Sequence, residues 1–130
     1  MIVGAGIDVI EIMRVERALS RSGERFARRV FASSEISDCR ARRRSGPHFA
    51  VRFAAKEAAM KALGTGWAAG VRWVDIEIVS ESKQRPDQLS LRLHGRAAEL
   101  AVERNARPYL AVSRTRSHAM AFVLFERSDR

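Results

Sequence analysis

The chain has 130 residues, of which 46% are hydrophobic, so it is long enough for one domain with a real core and too short for two. No apolar run approaches the roughly 20 residues of a membrane-spanning helix, and we expect no membrane segment. The apolar start, Met1–Ile7, has no basic leader and is followed by Asp8. It therefore predicts a buried strand rather than a signal peptide.

The formal net charge of +9 indicates an anionic partner, for which nucleic acid, an acidic protein and a phosphorylated small molecule all qualify. Only three of the 24 basic residues are Lys, and the rest are Arg, the better bidentate ligand of phosphate and carboxylate. Cys39 is the only cysteine, which excludes an internal disulfide and a Cys-rich zinc site and fits a reducing cytosol. No neighbouring motif activates its thiol, so we expect an ordinary helix residue.

The first half of the chain predicts one strand followed by helices. Apolar and basic residues alternate at helical period after the strand, which places a row of arginines on one helix face. The longest helix follows the break at Ser45–Pro47 and ends at Gly64, which suits a carboxyl-terminal cap. The predicted elements are a strand over Val3–Val9 and helices over Glu11–Arg21, Phe26–Val30, Ser33–Arg44 and His48–Leu63.

The second half is mostly strand-like, and its last residues, Glu126–Arg130, predict a loose tail. Because helices cluster early and strands late, the pattern favours an α+β fold with an antiparallel sheet packed against the long helix. We expect a single domain over residues 1–130. The predicted elements are strands over Val74–Val79, Leu89–Leu93, Tyr109–Ser113 and Ala119–Phe125, and a helix over Gly95–Asn105.

Glu57 and Lys61 are four residues apart on the long helix and therefore share a face. An ordinary surface ion pair is the common meaning of such a pair. Here the helix is otherwise apolar and rich in Ala, so it belongs in the interior, and its charges must reach a cleft. A carboxylate and an ammonium on one face can hold a hard cation and the phosphate oxygens that the cation bridges.

Asp8 follows an apolar run, and two interpretations of it stay open. It could cap the helix that begins near Ile10, or it could face a ligand, since Gly6 permits close backbone approach. Gly64-Thr65-Gly66 could likewise only end a helix or could let a nucleotide lie against the backbone. This segment is not a Walker motif, because no Gly-Lys-Ser/Thr follows a strand here.

Several segments together resemble holo-acyl-carrier-protein synthases, the small 4′-phosphopantetheinyl transferases. The most specific is Arg52–Gly66, and the resemblance covers nearly the whole chain in the right order. The other segments are Gly6-Ile7-Asp8 with Arg14, Val30-Phe31 with Ser34-Glu35, and Asp75-Ile76-Glu77-Ile78.

The resemblance implies the reaction and its participants. A serine hydroxyl of acyl carrier protein attacks the β-phosphorus of coenzyme A, magnesium bridges the pyrophosphate, and 3′,5′-ADP leaves. Asp8 and Glu57 would be the metal ligands, Lys61 would lie against the phosphates, and Glu57 would accept the serine proton, directly or through a water. The other residues expected to bind coenzyme A are Gly64, Thr65, Gly66 and Ser113, with Arg42, Arg43 and Arg44 expected to approach its 3′-phosphate.

The same resemblance gives the arginines of the first helix a partner, the acidic carrier protein. Arg14 is the strongest candidate, with Arg17, Arg21 and Arg25 as helpers, and a merely solvated basic face is the alternative. The family also implies a ring-like trimer with active sites between subunits, in the cytoplasm.

Two segments depart from the family pattern. Arg116 stands where the family has His after Ser-x-Ser/Thr, and the following turn is about two residues short, with His118 nearby. The family's Gly-Lys-Pro-like turn is replaced by Gln84-Arg85-Pro86. These departures leave open a weakened homologue that still binds carrier protein. A basic nucleic-acid-binding module is less favoured, because the 7% of aromatic residues lie mainly at core-like positions.

Overall fold

The structure is a computed structural model that describes residues 1–64 and 69–128. It contains five strands and five α-helices in the described part of the chain, with a 3-10 turn at Trp73–Asp75 before the second strand. In chain order the elements are β1 (Ile2–Glu11), α1 (Ile12–Ser22), α2 (Glu24–Val30), α3 (Ser33–Arg40), α4 (Ser45–Leu63), β2 (Ile76–Ser80), β3 (Leu89–Leu93), α5 (Gly95–Glu103), β4 (Ala106–Arg114) and β5 (His118–Arg127).

The strands form two antiparallel sheets, one in the order β1-β5-β4 and the other a β2-β3 pair. The predicted α+β class with antiparallel strands against a long helix is confirmed. The strands are divided between two sheets, where the sequence predicted one, and the first and last strands of the chain are direct neighbours. Within the described residues, no helix combines the length and the apolar character needed to cross a membrane.

Two glycines let β1 lie directly against α4. A Cβ on Gly4 would overlap the carbonyl oxygen of Ala62, and one on Gly6 would overlap that of Ala58. The helix contributes only methyl groups at these positions, so backbone meets backbone across the layer. Since side chains alternate along a strand, Gly4, Gly6 and Asp8 all face the helix.

The remaining strand residues sort into a core face and an outer face. Val123 and Phe125 of β5 are buried against the helix, whereas Ile7, Val9 and Phe122 are exposed on the opposite side. Strict alternation of this kind is what one helix-covered sheet face produces. The outer face stays apolar.

A buried ion pair fixes α4 against α3 and the second sheet. The side chains of Glu35 and Lys56 are fully buried, with Nζ to Oε1 at 2.7 Å. Lys56 also donates to the carbonyl oxygens of Trp73 and Ile76, so all three of its N–H groups are used. Such a satisfied pair sets the geometry of its elements more than it adds stability. Glu35 further accepts hydrogen bonds from the backbone N–H groups of Ala32 and Ile78.

Several element ends differ from the expectations. The helix expected to run into Arg44 ends at Arg40, so the arginines that follow lie in a turn. The long helix begins at Ser45, with Pro47 in its first turn, where a missing N–H costs nothing. The loose tail predicted from Glu126 is wrong for its first residues, because β5 continues to Arg127, whose N–H donates to the Met1 carbonyl at 2.7 Å. The last two residues lie outside the described part.

Replacing Gly6 with Ala should destabilise the fold by about 3 kcal/mol, because the new methyl group meets helix backbone that cannot yield like a side chain. Urea unfolding measures the change. Gly70→Ala is the control: that residue has φ +81° but nothing within 4 Å of its Cβ position, so about 1 kcal/mol is expected. Equal losses in both variants would contradict the proposed backbone contact.

Candidate active site

Asp8 lies inside β1, three residues before the strand ends at Glu11. The residue that precedes α1 in the capping position is Glu11. The interpretation of Asp8 as a helix cap is therefore wrong, because the strand continues past it. Its side chain is mostly buried at the edge of α4.

Lys61 reaches across from the last turn of α4 to β1. Its Nζ donates to Asp8 Oδ1 at 3.1 Å and to the Ile7 carbonyl oxygen at 3.0 Å. In the described part of the chain, Lys61 forms its ion pair with Asp8 and not with Glu57. The interpretation of Glu57 and Lys61 as an ordinary surface ion pair is therefore wrong. The close approach of β1 to α4 places Asp8 within reach of that ammonium.

Glu57 lies half-buried on the same side of α4. Burial raises the pKa of its carboxyl, the neighbouring Asp8 carboxylate raises that pKa further, and Lys61 lowers it. The structure thus brings together the three residues predicted to be catalytic. Two carboxylates that repel each other across one site make a ready place for a cation.

A cleft of about 380 Å³ opens between these carboxylates and α1. Its far wall is aromatic, because Phe26 and Phe53 pack at 6.4 Å between ring centroids and Phe53 stacks on Trp73 at 5.2 Å. The sequence assigned these rings to the core, and their spacing gave no sign of a cleft wall. The residues that line the cleft are Asp8, Val9, Ile10, Arg14, Val15, Ala18, Phe26, Phe53 and Glu57.

The predicted carrier-binding arginines Arg14, Arg17, Arg21 and Arg25 are all exposed on α1 and at the start of α2. Arg14 also lines the cleft, so the basic surface is continuous with the carboxylate site. In the described residues, α1 carries one acid, Glu16, which packs on Gly46 in the first turn of α4. An acid is favourable at the positive amino-terminal end of α4. Because Glu16 is turned toward α4, the charged residues on the outer face of α1 are all basic.

A second cavity, of about 220 Å³, lies near the start of α4 and is lined by Ser113. Arg42 stands beside it, with its guanidinium 3.1 Å from Asp87 Oδ1. Arg43, predicted to act with Arg42, is exposed and does not line the cavity. The lining residues are His48, Val51, Arg52, Pro86, Asp87, Leu89, Val112, Ser113 and Arg114.

Arg52 is the unusual member of this cavity. It is only 2% exposed, and its Nε is buried without a hydrogen-bond partner, while a terminal nitrogen donates weakly to the His48 carbonyl oxygen at 3.4 Å. A buried guanidinium with an unsatisfied N–H costs stability unless a ligand pairs with it. The motif containing Arg52 was recognised from sequence, but its burial could not be.

The two departures from the family pattern form closed turns, and in the turn at Gln84-Arg85-Pro86 the Arg85 N–H donates to the Ser82 hydroxyl at 3.1 Å. Thr115 and His118 bracket a two-residue hairpin turn that holds Arg116 at its tip, and the Thr115 N–H donates to the His118 carbonyl at 2.8 Å. The turn is tied to α1, since the Ile12 N–H donates to the Ser117 carbonyl at 2.8 Å. His118 is half-buried and bonded to the Ser117 hydroxyl, as expected of a satisfied histidine.

Gly64 ends α4 in the left-handed conformation, with φ +74°, as the sequence predicted for a cap. The guanidinium of Arg104 donates to the Leu63 carbonyl at 2.7 Å and closes the same helix end. Thr65 and Gly66, predicted to bind coenzyme A, lie outside the described residues.

Comparison with known proteins identifies the family. A sequence model of the 4′-phosphopantetheinyl transferase superfamily matches residues 4–123. A holo-[acyl-carrier-protein] synthase of Vibrio cholerae is 49% identical over 128 residues, which cover 98% of this chain and 99% of that protein.

Solved structures agree. The holo-[acyl-carrier-protein] synthase of Neisseria meningitidis superposes with a TM-score of 0.87 at 28% identity, covering 98% of this chain and 100% of that one. The Bacillus anthracis enzyme, solved in complex with CoA (3′,5′-ADP), gives a TM-score of 0.78 at 32% identity, with coverages of 98% and 99%. The chain belongs to the 4′-phosphopantetheinyl transferase superfamily. The resemblance stated from the sequence, and with it the prediction of an enzyme, is confirmed.

Replacing Arg52 with Met should raise the free energy of unfolding of the ligand-free protein by about 1 kcal/mol, because an unsatisfied buried N–H is removed while the stem volume stays. The same change should weaken coenzyme A binding, measured by calorimetry. Arg28→Met, on the exposed face of α2, is the control and should change neither quantity. A less stable Arg52→Met protein would show that the guanidinium is satisfied without ligand.

Proposed function

We propose that the protein transfers the 4′-phosphopantetheine group of coenzyme A to a serine of apo acyl carrier protein. The observation that carries this proposal is that Glu57 and Asp8, which accepts a hydrogen bond from Lys61, line one cleft together with Arg14, a member of the exposed basic surface of α1. The relatives named above supply the donor and the acceptor.

The carboxylates of Asp8 and Glu57 fit a magnesium ion. In the described residues no cluster of three or more metal-binding side chains occurs. That suits magnesium, which typically takes one or two carboxylates and fills its remaining positions with water and substrate phosphate. The chemistry it supplies when bound is neutralisation of charge on the pyrophosphate.

The transfer needs little covalent help from the protein. The serine oxygen forms a bond to the β-phosphorus, and the bond from that phosphorus to the departing 3′,5′-ADP oxygen breaks, with the electron pair leaving on the nucleotide. The serine proton passes to Glu57, directly or through a water. Lys61, held by Asp8 and the Ile7 carbonyl, offers a fixed positive charge to the phosphate oxygens.

The carrier protein is proposed to dock on α1 and the start of α2. Arg14, Arg17, Arg21 and Arg25 present a basic surface, and the aromatic wall of the cleft lies beneath it. Complementary charge steers encounter and sets orientation, so a carrier that is acidic around its serine would be delivered next to Glu57.

The nucleotide end of coenzyme A is proposed to occupy the cavity beside Arg42 and Ser113. Arg52 and Arg114 line this cavity, Arg42 pairs with Asp87 of its lining, and Arg52 lacks a partner on Nε. Arg43 and the segment Gly64-Thr65-Gly66 are proposed as further contacts. In one chain this cavity and the carboxylate cleft lie on opposite sides of α4, which favours a site completed by a second copy.

The assembly is proposed to be a homotrimer in the cytoplasm, through the outer face of the three-stranded sheet. Ile7, Phe122 and Ala111 form one cross-strand row on this face, and Ile7 and Phe122 are 62% and 40% exposed. A contiguous apolar face on a soluble domain marks an interaction surface. The ring-like trimer of the family is the closed assembly that would cover it.

The reaction is tested by mixing apo acyl carrier protein, coenzyme A and magnesium and following the carrier's mass. The wild type should add one phosphopantetheine arm per carrier. Asp8→Ala and Glu57→Ala should each lower the rate at least about 100-fold, because each removes charge placed at the reacting phosphate. Glu81→Ala, an exposed acid after β2, is the control.

In the same assay Arg14→Glu should raise KM for the carrier roughly tenfold and leave kcat for a saturated carrier nearly unchanged. Carrier binding without any mass gain would identify a weakened homologue instead. No gain, with salt-sensitive binding to nucleic acid, would favour the basic nucleic-acid module.

The assembly is tested by sedimentation velocity at micromolar concentration. The wild type should sediment as a trimer and Phe122→Lys as a monomer, because the new ammonium would be buried in the apolar contact. Val102→Lys is the control, because it also places a lysine at an exposed apolar residue, 79% exposed on α5. This variant should remain trimeric. A monomeric wild type would refute both the trimer and the proposal that a second copy completes the site.

A further inference from the structure

His48 has an unusual setting in the cavity beside Ser113. It lies in the first turns of α4, half-buried, and lines the same space as Arg52 and Arg114. The resemblance to the family assigns it no role. An imidazole among guanidinium groups needs an explanation, because cations surround a group that itself can become a cation.

The charged groups around His48 come from four segments. Arg42 lies in the turn before α4, Arg52 on α4, Arg114 at the end of β4, and Asp87 in the loop before β3. Three guanidinium groups and one carboxylate leave two uncompensated positive charges. Asp87 is already paired with Arg42 at 3.1 Å, so it offers His48 little relief.

This setting keeps the free imidazole neutral. Burial, followed by the positive charges of Arg42, Arg114 and Arg52, lowers the pKa of His48 to about 4, and Asp87 opposes them weakly. A neutral imidazole can donate only one hydrogen bond. The unpartnered Nε of Arg52, buried in the wall of the same cavity, independently indicates that an anion belongs there.

We propose that His48 is a ligand of the 3′-phosphate of coenzyme A and takes up a proton when that phosphate enters the cavity. The inference rests on the proposed use of coenzyme A as donor. A phosphomonoester carries nearly two negative charges at pH 7, which matches the two uncompensated charges of the empty cavity. Once the phosphate neutralises them, the repulsion that kept the imidazole neutral is gone, and imidazolium becomes the better ligand.

The consequence is selectivity for a coenzyme that bears the 3′-phosphate. A ligand without that group would leave the guanidinium charges uncompensated and would give His48 no reason to bind a proton. Protonation therefore reports which end of the coenzyme occupies the cavity.

Imidazole NMR titration tests this directly, since the chain has only three histidines. The His48 midpoint should be about 4 in the free protein. With saturating coenzyme A it should rise by at least about one pH unit, which corresponds to roughly tenfold tighter binding to the protonated protein. With dephospho-coenzyme A, which lacks the 3′-phosphate, it should stay near its free value.

Calorimetry in two buffers of different ionisation enthalpy supplies the second readout. At pH 5, His48→Gln, which keeps a hydrogen-bonding side chain but cannot titrate, should bind about 0.4 proton fewer than wild type on binding coenzyme A, because a midpoint that rises from about 4 to about 5 raises the protonated fraction of His48 from about 0.1 to about 0.5. His94→Gln is the control, because that imidazole pairs with Glu77 on the second sheet. It should behave as wild type, so the protons that the phosphate itself releases on binding among the guanidinium groups are counted in both.

The outcomes separate this inference from the proposed function. If coenzyme A binds and the His48 midpoint stays near 4, the inference is refuted and the donor assignment stands. If dephospho-coenzyme A raises the midpoint equally, the 3′-phosphate is not the group that His48 contacts. If neither ligand binds, the proposed function itself fails.

Discussion

The direct contact between the backbones of β1 and α4 is the constraint on which the site depends. Gly4 and Gly6 leave no room for a side chain above Ala62 and Ala58. Any larger residue would push the strand away from the helix and carry Asp8 with it. The ion pair between Asp8 and Lys61 then could not close at 3.1 Å. The glycines thus set the geometry of the proposed site, although they have no chemistry of their own.

The long helix also divides the charges of the protein. Asp8 and Glu57 lie on the β1 side, and the guanidinium groups of Arg52 and Arg114 lie toward β4. β1 and β4 are separated by one intervening strand, hence by about 10 Å. The buried Glu35–Lys56 pair fixes the rotation of α4 that this division requires. The proposed donor, which carries a pyrophosphate and a distant phosphate, would use both kinds of surface.

The sequence was most informative where the functional residues belong to a short motif. Asp8, Glu57 and Lys61 could be grouped through the resemblance, and Gly64 could be recognised as a helix end. The partner of Lys61 could not be predicted from the sequence. An i,i+4 spacing is visible in a sequence, whereas a contact between residues 53 positions apart is not. The same limit hid Asp87, which reaches Arg42 only through the fold of the second sheet. It also hid Phe53, whose apolar side chain fits a core and a cleft wall equally well.

The replaced turn shows how a departure from a family pattern can be structural. From the sequence alone, Arg116 and the missing residues suggested a damaged site. In the fold, the Thr115 hydroxyl oxygen accepts hydrogen bonds from the backbone N–H groups of Ser117 at 3.2 Å and His118 at 3.0 Å. The Ser117 carbonyl in turn accepts the first N–H of α1. The short turn therefore closes the sheet and anchors α1, the helix that carries Arg14. The shorter turn is thus compatible with an intact carboxylate site and an intact basic surface.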